Sequence, residues 1–267
     1  MQADEPSCVR PRRVVNAASQ CGVVYLGSMG HSPCTCTGWF RLEAQVTSLD
    51  DRPGRFADRR TAGIELAEHL QRYHMRDDVI VLALPRGGVP VGYEIARALE
   101  APLDVFLVRK LGLPGRPELA MGAIASGGIR VLNDDVVRWY GVPTHVIERV
   151  AATEQAELTR RERAYRGDHP PLELQGRTVV LVDDGLATGS TMKAAVAAVR
   201  ARHPSRIVVA VPAGAPDTCR ELAESADEVV CARMPQPFTA VGLWYRDFSQ
   251  TTDEEVQMLL QRPEAVG

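Results

Sequence analysis

The sequence predicts an α/β fold in which a central parallel sheet is flanked by helices. Short, mostly apolar runs at residues 79–84, 179–182, 206–211 and 228–231 are typical of strands that are buried on both faces. Segments with helical periodicity separate these runs, and such alternation indicates an α/β core. With 45% hydrophobic residues in 267 positions, the chain can bury a core of this size.

Residues 1–54 precede this core and are predicted to form a flexible or irregular extension, with the domain itself at 55–267. Four of the six cysteines lie in the extension: Cys8, Cys21, Cys34 and Cys36. The spacing His31-x-x-Cys34-x-Cys36 is not a well-attested zinc spacing, so we favour the reduced thiols of a cytoplasmic protein. A metal site is one alternative, and an extension translated from an early start codon is another.

The first of the four runs ends at a glycine-containing loop. Pro85-Arg86-Gly87-Gly88 follows residues 79–84 and precedes a helix expected from Val89 to about Leu99. Arg86 can bind an anion through both arms of its guanidinium group, and the two glycines let backbone N–H groups approach that anion closely. This loop is therefore a predicted anion site.

A further strand is expected at 103–108, followed by a loop from Arg109 to Gly115. Arg109 supplies a planar guanidinium group at the start of this loop, and Lys110 supplies a compact ammonium group. Both are cations of the kind that bind phosphoryl groups. The alternative is that both side chains face water at the end of the strand.

The segment between this loop and the next motif is predicted to be mostly structural. Residues 121–126 and 129–132 indicate a hairpin turned by Gly127-Gly128, and Asn133 can cap a short helix that ends near Gly141. A long charged helix is expected from Thr144 to Arg166, with an apolar stripe that packs on the core or on a neighbouring subunit.

The most informative stretch runs from Val179 to Thr191. Its first four residues predict a strand, and Asp183 and Asp184 follow at the carboxyl end, where open α/β sheets bind ligands. Residues 187–191 then open a helix expected from Met192 to about Arg202, so hydroxyl groups, N–H groups and a helix N-terminus are directed at one point. Adjacent carboxylates suit the adjacent hydroxyls of a ribose, and the loop suits its 5′-phosphate. The alternative is an Asp-Asp turn before an ordinary capped helix.

This thirteen-residue stretch resembles the signature of the type I phosphoribosyltransferases that binds 5-phosphoribosyl 1-pyrophosphate (PRPP), with Gly185 where an aliphatic residue or Ser is usual. The loop at 85–88 and the Arg-Lys-Leu-Gly-x-Pro segment at 109–114 extend the resemblance to about residues 55–255. It implies the type I phosphoribosyltransferase fold with a small C-terminal hood. It also implies transfer of a 5-phosphoribosyl group from PRPP to a nitrogenous base, with release of pyrophosphate.

The resemblance assigns roles to the residues of these motifs. Asp183 and Asp184 would bind the ribose hydroxyls and reach Mg²⁺ directly or through water. Arg109 or Lys110 would join them as catalytic residues by stabilising the leaving pyrophosphate. The residues expected to bind the remainder of PRPP are Arg86, Gly87, Gly88, Ala187, Thr188, Gly189, Ser190 and Thr191. No side chain is identified as a general base.

An aromatic cluster at 235–251 is expected to form the hood. Aromatic residues make up 5% of the chain, yet this segment contains Phe238, Trp244 and Tyr245, with Val241 between them. The run resembles, more loosely, the hood of hypoxanthine-type phosphoribosyltransferases, which covers the base and excludes water. The alternative is that these rings form the core of a small lid.

Charge and composition limit the partners. A formal net charge of −3 gives no electrostatic basis for binding nucleic acid. No run approaches the roughly 18–20 apolar residues that a membrane-spanning helix needs. We expect a cytoplasmic homodimer that binds PRPP, Mg²⁺ and a small nucleophile, a nucleobase whose identity stays open. The alternative is a PRPP- or nucleotide-sensing regulatory protein with the same fold and no transfer activity.

Overall fold

The structure, a computed structural model, describes residues 13–16, 54–167 and 169–261. In these residues a six-stranded parallel sheet and a three-stranded antiparallel sheet are present. The strands are β1 Arg13–Asn16, β2 Val79–Ala83, β3 Leu103–Val105, β4 Val108–Leu113, β5 Arg116–Ala125, β6 Ile129–Leu132, β7 Thr178–Val182, β8 Arg206–Ala213 and β9 Glu228–Arg233. The α-helices are α1 Arg59–Glu68, α2 Gly88–Leu99, α3 Asp134–Trp139, α4 Thr144–Arg166, α5 Ser190–Arg200, α6 Pro216–Ala223 and α7 Asp253–Gln261. Short 3₁₀ turns occupy Gln71–Tyr73 and Val241–Trp244.

The parallel sheet has the strand order β1-β9-β8-β7-β2-β3, which confirms the predicted α/β architecture. Every residue of β2 and β7 is buried, as their uninterrupted apolar runs predict. The two strands are direct neighbours, and Ala83 pairs with Val182 at their carboxyl ends. The loops that leave these strands therefore start side by side.

Alternate residues of the central strands enter two different cores. Val79 and Val81 of β2 pack with residues of α1 and α2, including Leu66 and Ile95. Ile80 and Leu82 pack on the opposite face, with residues of α5 and α6. A third core lies between the antiparallel sheet, α4 and α7. In the part of the chain that the structure describes, no helix is both long enough and apolar enough to cross a bilayer.

The expected single strand at 103–108 is wrong, and so is the expected loop at 109–115. The chain leaves the parallel sheet after Val105 and joins the antiparallel sheet at Val108. Residues 108–113 are ordered as a strand because β5 pairs with them, Arg109 opposite Ile124 and Lys110 opposite Ala123. The turn that follows is short and contains Gly115, whose φ is +79°.

The remaining elements of this region agree with their predictions. Gly127 and Gly128 turn the hairpin between β5 and β6 with φ values of +78° and +75°. The side chain of Asn133 caps α3 by accepting a hydrogen bond from the Val136 N–H at 3.2 Å. Helix α4 has the expected bounds, and its apolar stripe buries Ile147 and Leu158.

Of the predicted N-terminal extension, the structure describes Gly54 and β1, which pairs in parallel with β9. The remaining residues before Gly54 lie outside the described part of the chain. The predictions for His31 and for the four cysteines of this segment fall there as well. The domain boundary at 54–55 stays a prediction.

Candidate active site

The two adjacent carboxylates lie at the carboxyl end of β7, as predicted, and each already accepts a hydrogen bond. Oδ1 of Asp183 accepts one from the backbone N–H of Asp184 at 2.9 Å. Oδ2 of Asp184 accepts one from Nε of Arg59 at 2.8 Å. Arg59 is the first residue of α1, 125 positions away in the chain. The carboxylate is therefore held by a residue that the sequence pattern did not indicate.

Burial dominates the electrostatics of this pair. It raises the pKa of Asp183 well above the ordinary value, and the neighbouring charge of Asp184 raises it further. Burial also raises the pKa of Asp184, although Arg59 acts in the opposite direction. A cation or a hydroxyl donor that entered the site would favour the charged form of both groups.

The glycine-containing loop at 85–88 lies against these carboxylates. A Cβ atom on Gly87 would overlap Oδ2 of Asp184, and one on Gly88 would lie 2.7 Å from the carbonyl oxygen of Val182. The Pro85–Arg86 peptide bond is cis. Helix α2 begins at Gly88, and the N–H group of Gly88 donates to the carbonyl of Leu84 at 3.0 Å. The two loops are therefore in contact at the carboxyl ends of β2 and β7, and we call the polar surface formed by residues 85–88 and 183–191 the cleft.

The loop before α5 forms the other wall of this cleft. Gly189 has a φ of +66°, and a Cβ atom there would overlap the methyl group of Thr218. The hydroxyl of Thr218 donates to the carbonyl of Ala187 at 2.7 Å, so α6 holds the loop from behind. The hydroxyls of Thr188 and Ser190 lie 3.3 Å apart. Nζ of Lys110, which arrives from β4, donates to Oγ of Ser190 at 2.5 Å.

An aromatic layer formed by Tyr245 and Phe248 contacts Asp184 and the first residue of α1. The hydroxyl of Tyr245 donates to the backbone carbonyl of Asp184 at 2.6 Å. The ring of Phe248 lies 5.0 Å from that of Tyr245 and 3.9 Å from the guanidinium carbon of Arg59. The cleft and the C-terminal segment are therefore joined by direct contacts.

Comparisons with known proteins identify the family. Residues 56–242 match the family model described as the phosphoribosyl transferase domain. The chain belongs to the phosphoribosyl transferase family. The match includes the cleft loops at 85–88 and 183–191 and ends at residue 242, before Tyr245 and Phe248.

Two relatives from Mycobacterium tuberculosis, strains CDC 1551 / Oshkosh and ATCC 25618 / H37Rv, carry the names "Putative phosphoribosyl transferase MT0597" and "Putative phosphoribosyl transferase Rv0571c". Each is 49% identical to this chain over 207 residues, which are 78% of this chain and 46% of the relative. The chain thus spans about half the length of these relatives. Protein TT1426 from Thermus thermophilus has a similar structure, with a TM-score of 0.71 and 47% identity. That match covers 77% of this chain and 97% of TT1426.

Lys110 and Arg109 lie in different surroundings. They are neighbours on a strand, so their side chains leave it on opposite faces. Lys110 contacts the loop before α5, whereas Nη2 and Nε of Arg109 lie 2.6 and 2.7 Å from Oε2 of Glu154 on α4. Of these two cations, either of which was expected to stabilise the pyrophosphate, Lys110 contacts a loop of the cleft and Arg109 contacts α4. A catalytic role of either stays a prediction.

Arg86 is directed towards α7. Its Nη1 lies 3.7 Å from Oδ1 of Asp253, and the same carboxylate oxygen accepts a hydrogen bond from the hydroxyl of Tyr165 at 2.7 Å. Burial, followed by the bond to Asp253, raises the pKa of Tyr165 to about 12. The arginine of the first loop is therefore in contact with the C-terminal helix and, through Asp253, with α4.

The four hood residues have different surroundings. Tyr245 is 2% exposed, so its ring is packed in the hood, as expected for the core of a small lid; contact with a base stays a prediction. Burial raises its pKa, and the charge of Asp184 adds to this effect. Val241 packs over Gly185, where an added Cβ atom would lie 2.5 Å from Cγ1 of Val241. Phe238 and Trp244 are half-buried and keep exposed surface for a ligand.

The carboxylates present fit a magnesium ion that is bound mainly by its substrate. Within the described ranges there is no group of three or more His, Cys, Asp or Glu side chains that could hold a metal ion. Asp183 and Asp184 offer two carboxylates and no further acidic ligand. Mg²⁺ commonly binds through one or two carboxylates, several waters and substrate phosphates, so this donor set is sufficient for it.

Proposed function

We propose that the chain transfers the 5-phosphoribosyl group of PRPP to a nitrogenous base and releases pyrophosphate. The contact between Gly87 and Asp184 supports this proposal most directly, because it places a loop suited to an anion against carboxylates suited to ribose hydroxyls. A phosphate-binding loop alone would fit many ligands. A diphosphate site beside a ribose site fits a phosphorylated ribose with a diphosphate at C1.

The roles follow from the surroundings of each group. Asp183 and Asp184 accept hydrogen bonds from the ribose hydroxyls, and residues 187–191 hold the 5′-phosphate with their N–H and hydroxyl groups. Lys110 adds a positive charge at Ser190. Arg86 and the N–H group of Gly87 bind the pyrophosphate and stabilise its charge as the bond to C1 breaks, and Gly88 lets the backbone approach it closely.

Mg²⁺, bound with PRPP, would neutralise part of the pyrophosphate charge. Asp183 and Asp184 would hold it directly or through water. The acceptor base would enter between the cleft and the hood, where Phe238 and Trp244 offer ring surface. As the family resemblance implies, we expect the protein to act as a homodimer in the cytoplasm.

The proposal is tested by measuring pyrophosphate release from PRPP with Mg²⁺ and a panel of purine and pyrimidine bases. We expect release that depends on one base or one class of bases, and a rise of the melting temperature when that base is added together with PRPP. Binding of PRPP without release for any base would favour the sensing protein instead. Absence of PRPP binding would exclude both transfer from PRPP and PRPP sensing.

A further inference from the structure

We propose that Arg59 is a positioning residue that couples ligand binding at Asp184 to the placement of the hood. The inference rests on the proposed function, because it takes the ligand of Asp184 to be a ribose. Arg59 contacts both regions with one guanidinium group. Its Nε donates to Oδ2 of Asp184 at 2.8 Å, and its Nη1 donates to the backbone carbonyl of Ser249 at 2.6 Å.

The same guanidinium group also lies over an aromatic ring. Its carbon is 3.9 Å from the centroid of Phe248, and the Arg59 side chain is 12% exposed. A planar group can lie on a ring and donate in two directions at once, whereas the ammonium group of a lysine is a compact point charge. The arrangement therefore requires arginine.

The rest of the hood is attached by other bonds. The N–H groups of Arg246 and Asp247 donate to the carbonyls of Phe56 and Ala57 at 2.8 and 2.9 Å. These bonds extend the pairing of the hood with the segment before α1 up to Asp247. Beyond that point, Arg59 supplies a direct link between residues 248–249 and the cleft.

A ribose hydroxyl that binds Asp184 shares the carboxylate with Arg59. Oxygen atoms of an ionised carboxylate can accept several hydrogen bonds, so the ligand adds to the Arg59 contact and fixes the carboxylate in one orientation. Fixing Asp184 fixes Arg59, and Arg59 then holds Phe248 and Ser249. Because coupling of binding free energies is reciprocal, a docked hood also favours ribose binding.

Hydrogen–deuterium exchange of the full chain, followed at residues 248–252, tests the proposal. The exchange is measured with and without PRPP and Mg²⁺ in the wild type and in the variants Arg59→Ala and Arg59→Lys. Arg60→Ala is the matched control, because Arg60 is the next residue of α1 and pairs with Glu94 instead. Titration calorimetry establishes for each variant the PRPP concentration that saturates it.

We expect PRPP to slow exchange several-fold at 248–252 in the wild type and in Arg60→Ala. In Arg59→Ala and Arg59→Lys, exchange is faster without ligand, and saturation with PRPP does not slow it. Wild-type protection in Arg59→Ala would overturn the proposal, and wild-type protection in Arg59→Lys would overturn the requirement for arginine.

If Arg59→Ala no longer binds PRPP, the coupling is tested with Phe248→Leu instead. This variant leaves Arg59 beside Asp184 and removes the ring below the guanidinium group. Unchanged ligand-dependent protection in Phe248→Leu would then contradict the coupling. If PRPP does not bind the wild type, the proposed function fails and the coupling to ribose fails with it. The comparison of the ligand-free proteins then tests only whether Arg59 holds residues 248–249. Equal exchange in the wild type and in Arg59→Ala would exclude this.

Discussion

Gly87 lies so close to Asp184 that a Cβ atom on the glycine would overlap the Oδ2 atom of the carboxylate. The two residues are far apart in the chain and belong to the loops after β2 and β7, which are neighbouring strands. Their contact joins the two loops into one cleft. The shape of the cleft therefore depends on the absence of a side chain at position 87.

Gly87→Ala should weaken PRPP binding. The φ and ψ of Gly87, −60° and −32°, suit alanine, so the effect comes from the overlap with Asp184. Relief of this overlap moves the carboxylate away from Arg59, and we expect overpacking to lower the free energy of unfolding by about 1–3 kcal/mol. Calorimetric titration with PRPP and urea denaturation measure the two effects.

The control for this variant is Gly54→Ala, because the nearest atom to a Cβ atom there is 4.0 Å away. That variant should bind PRPP like the wild type. Equal PRPP affinity of Gly87→Ala and Gly54→Ala would show that the loop at 85–88 is not part of the binding site.

Lys110→Ala and Arg109→Ala form a matched pair on β4. We expect the Lys110 variant to bind PRPP more weakly, by roughly 10- to 150-fold, because a hydrogen bond to a charged group contributes about 1.5–3 kcal/mol. The Arg109 variant should keep its PRPP affinity, since its guanidinium group is bonded to Glu154. The opposite order of affinities would mean that β4 presents its other face to the ligand.

Tyr245→Phe should lower the free energy of unfolding by about 1–3 kcal/mol. The substitution removes the hydroxyl that donates to the carbonyl of Asp184. That carbonyl then faces the buried ring at position 245 without a hydrogen-bond donor from it. Tyr140→Phe is the control, because Tyr140 is 42% exposed and should change stability by less than about 0.5 kcal/mol. The free energies of unfolding are measured by urea denaturation. An equal decrease in both variants would exclude a structural role of the Tyr245 hydroxyl.

Asp253→Asn should tighten PRPP binding slightly. The carboxylate of Asp253 lies 3.7 Å from Nη1 of Arg86 and competes with an anionic ligand for it. Because exposed ion pairs contribute about 0.2–1 kcal/mol, we expect a gain of at most about fivefold. Glu254→Gln removes a neighbouring charge of α7 and should leave the affinity unchanged. Weaker binding by Asp253→Asn would instead indicate that Asp253 orients Arg86 for the ligand.

The sequence predicts those elements whose formation depends on residues within the element itself. The strands around Val81 and Val180 are uninterrupted apolar runs, and α4 is delimited by its own charge and apolar pattern. Asp183 and Asp184 could be placed because the end of a parallel strand is also the ligand-binding edge of its sheet. Local patterns were therefore sufficient for the core and for one side of the cleft.

The features that the sequence did not predict depend on distant partners. Residues 108–113 contain Gly112 and two cations and resemble a loop, yet pairing with β5 makes them a strand. Arg59 is one of several arginines near the start of α1, and its role appears once Asp184 and Phe248 are brought beside it. The alternation of Leu111 and Leu113, both buried, was a usable signal for the missed strand.

Calorimetric titration with PRPP and Mg²⁺ of the wild type and Asp184→Asn tests the central claim most directly. Circular dichroism first establishes that the variant is folded. The proposed site predicts that the wild type binds PRPP and that the variant binds it roughly 10- to 150-fold more weakly, because the ribose loses a charged acceptor that contributes about 1.5–3 kcal/mol. Equal PRPP affinities of the two proteins, or no binding by the wild type, would contradict it.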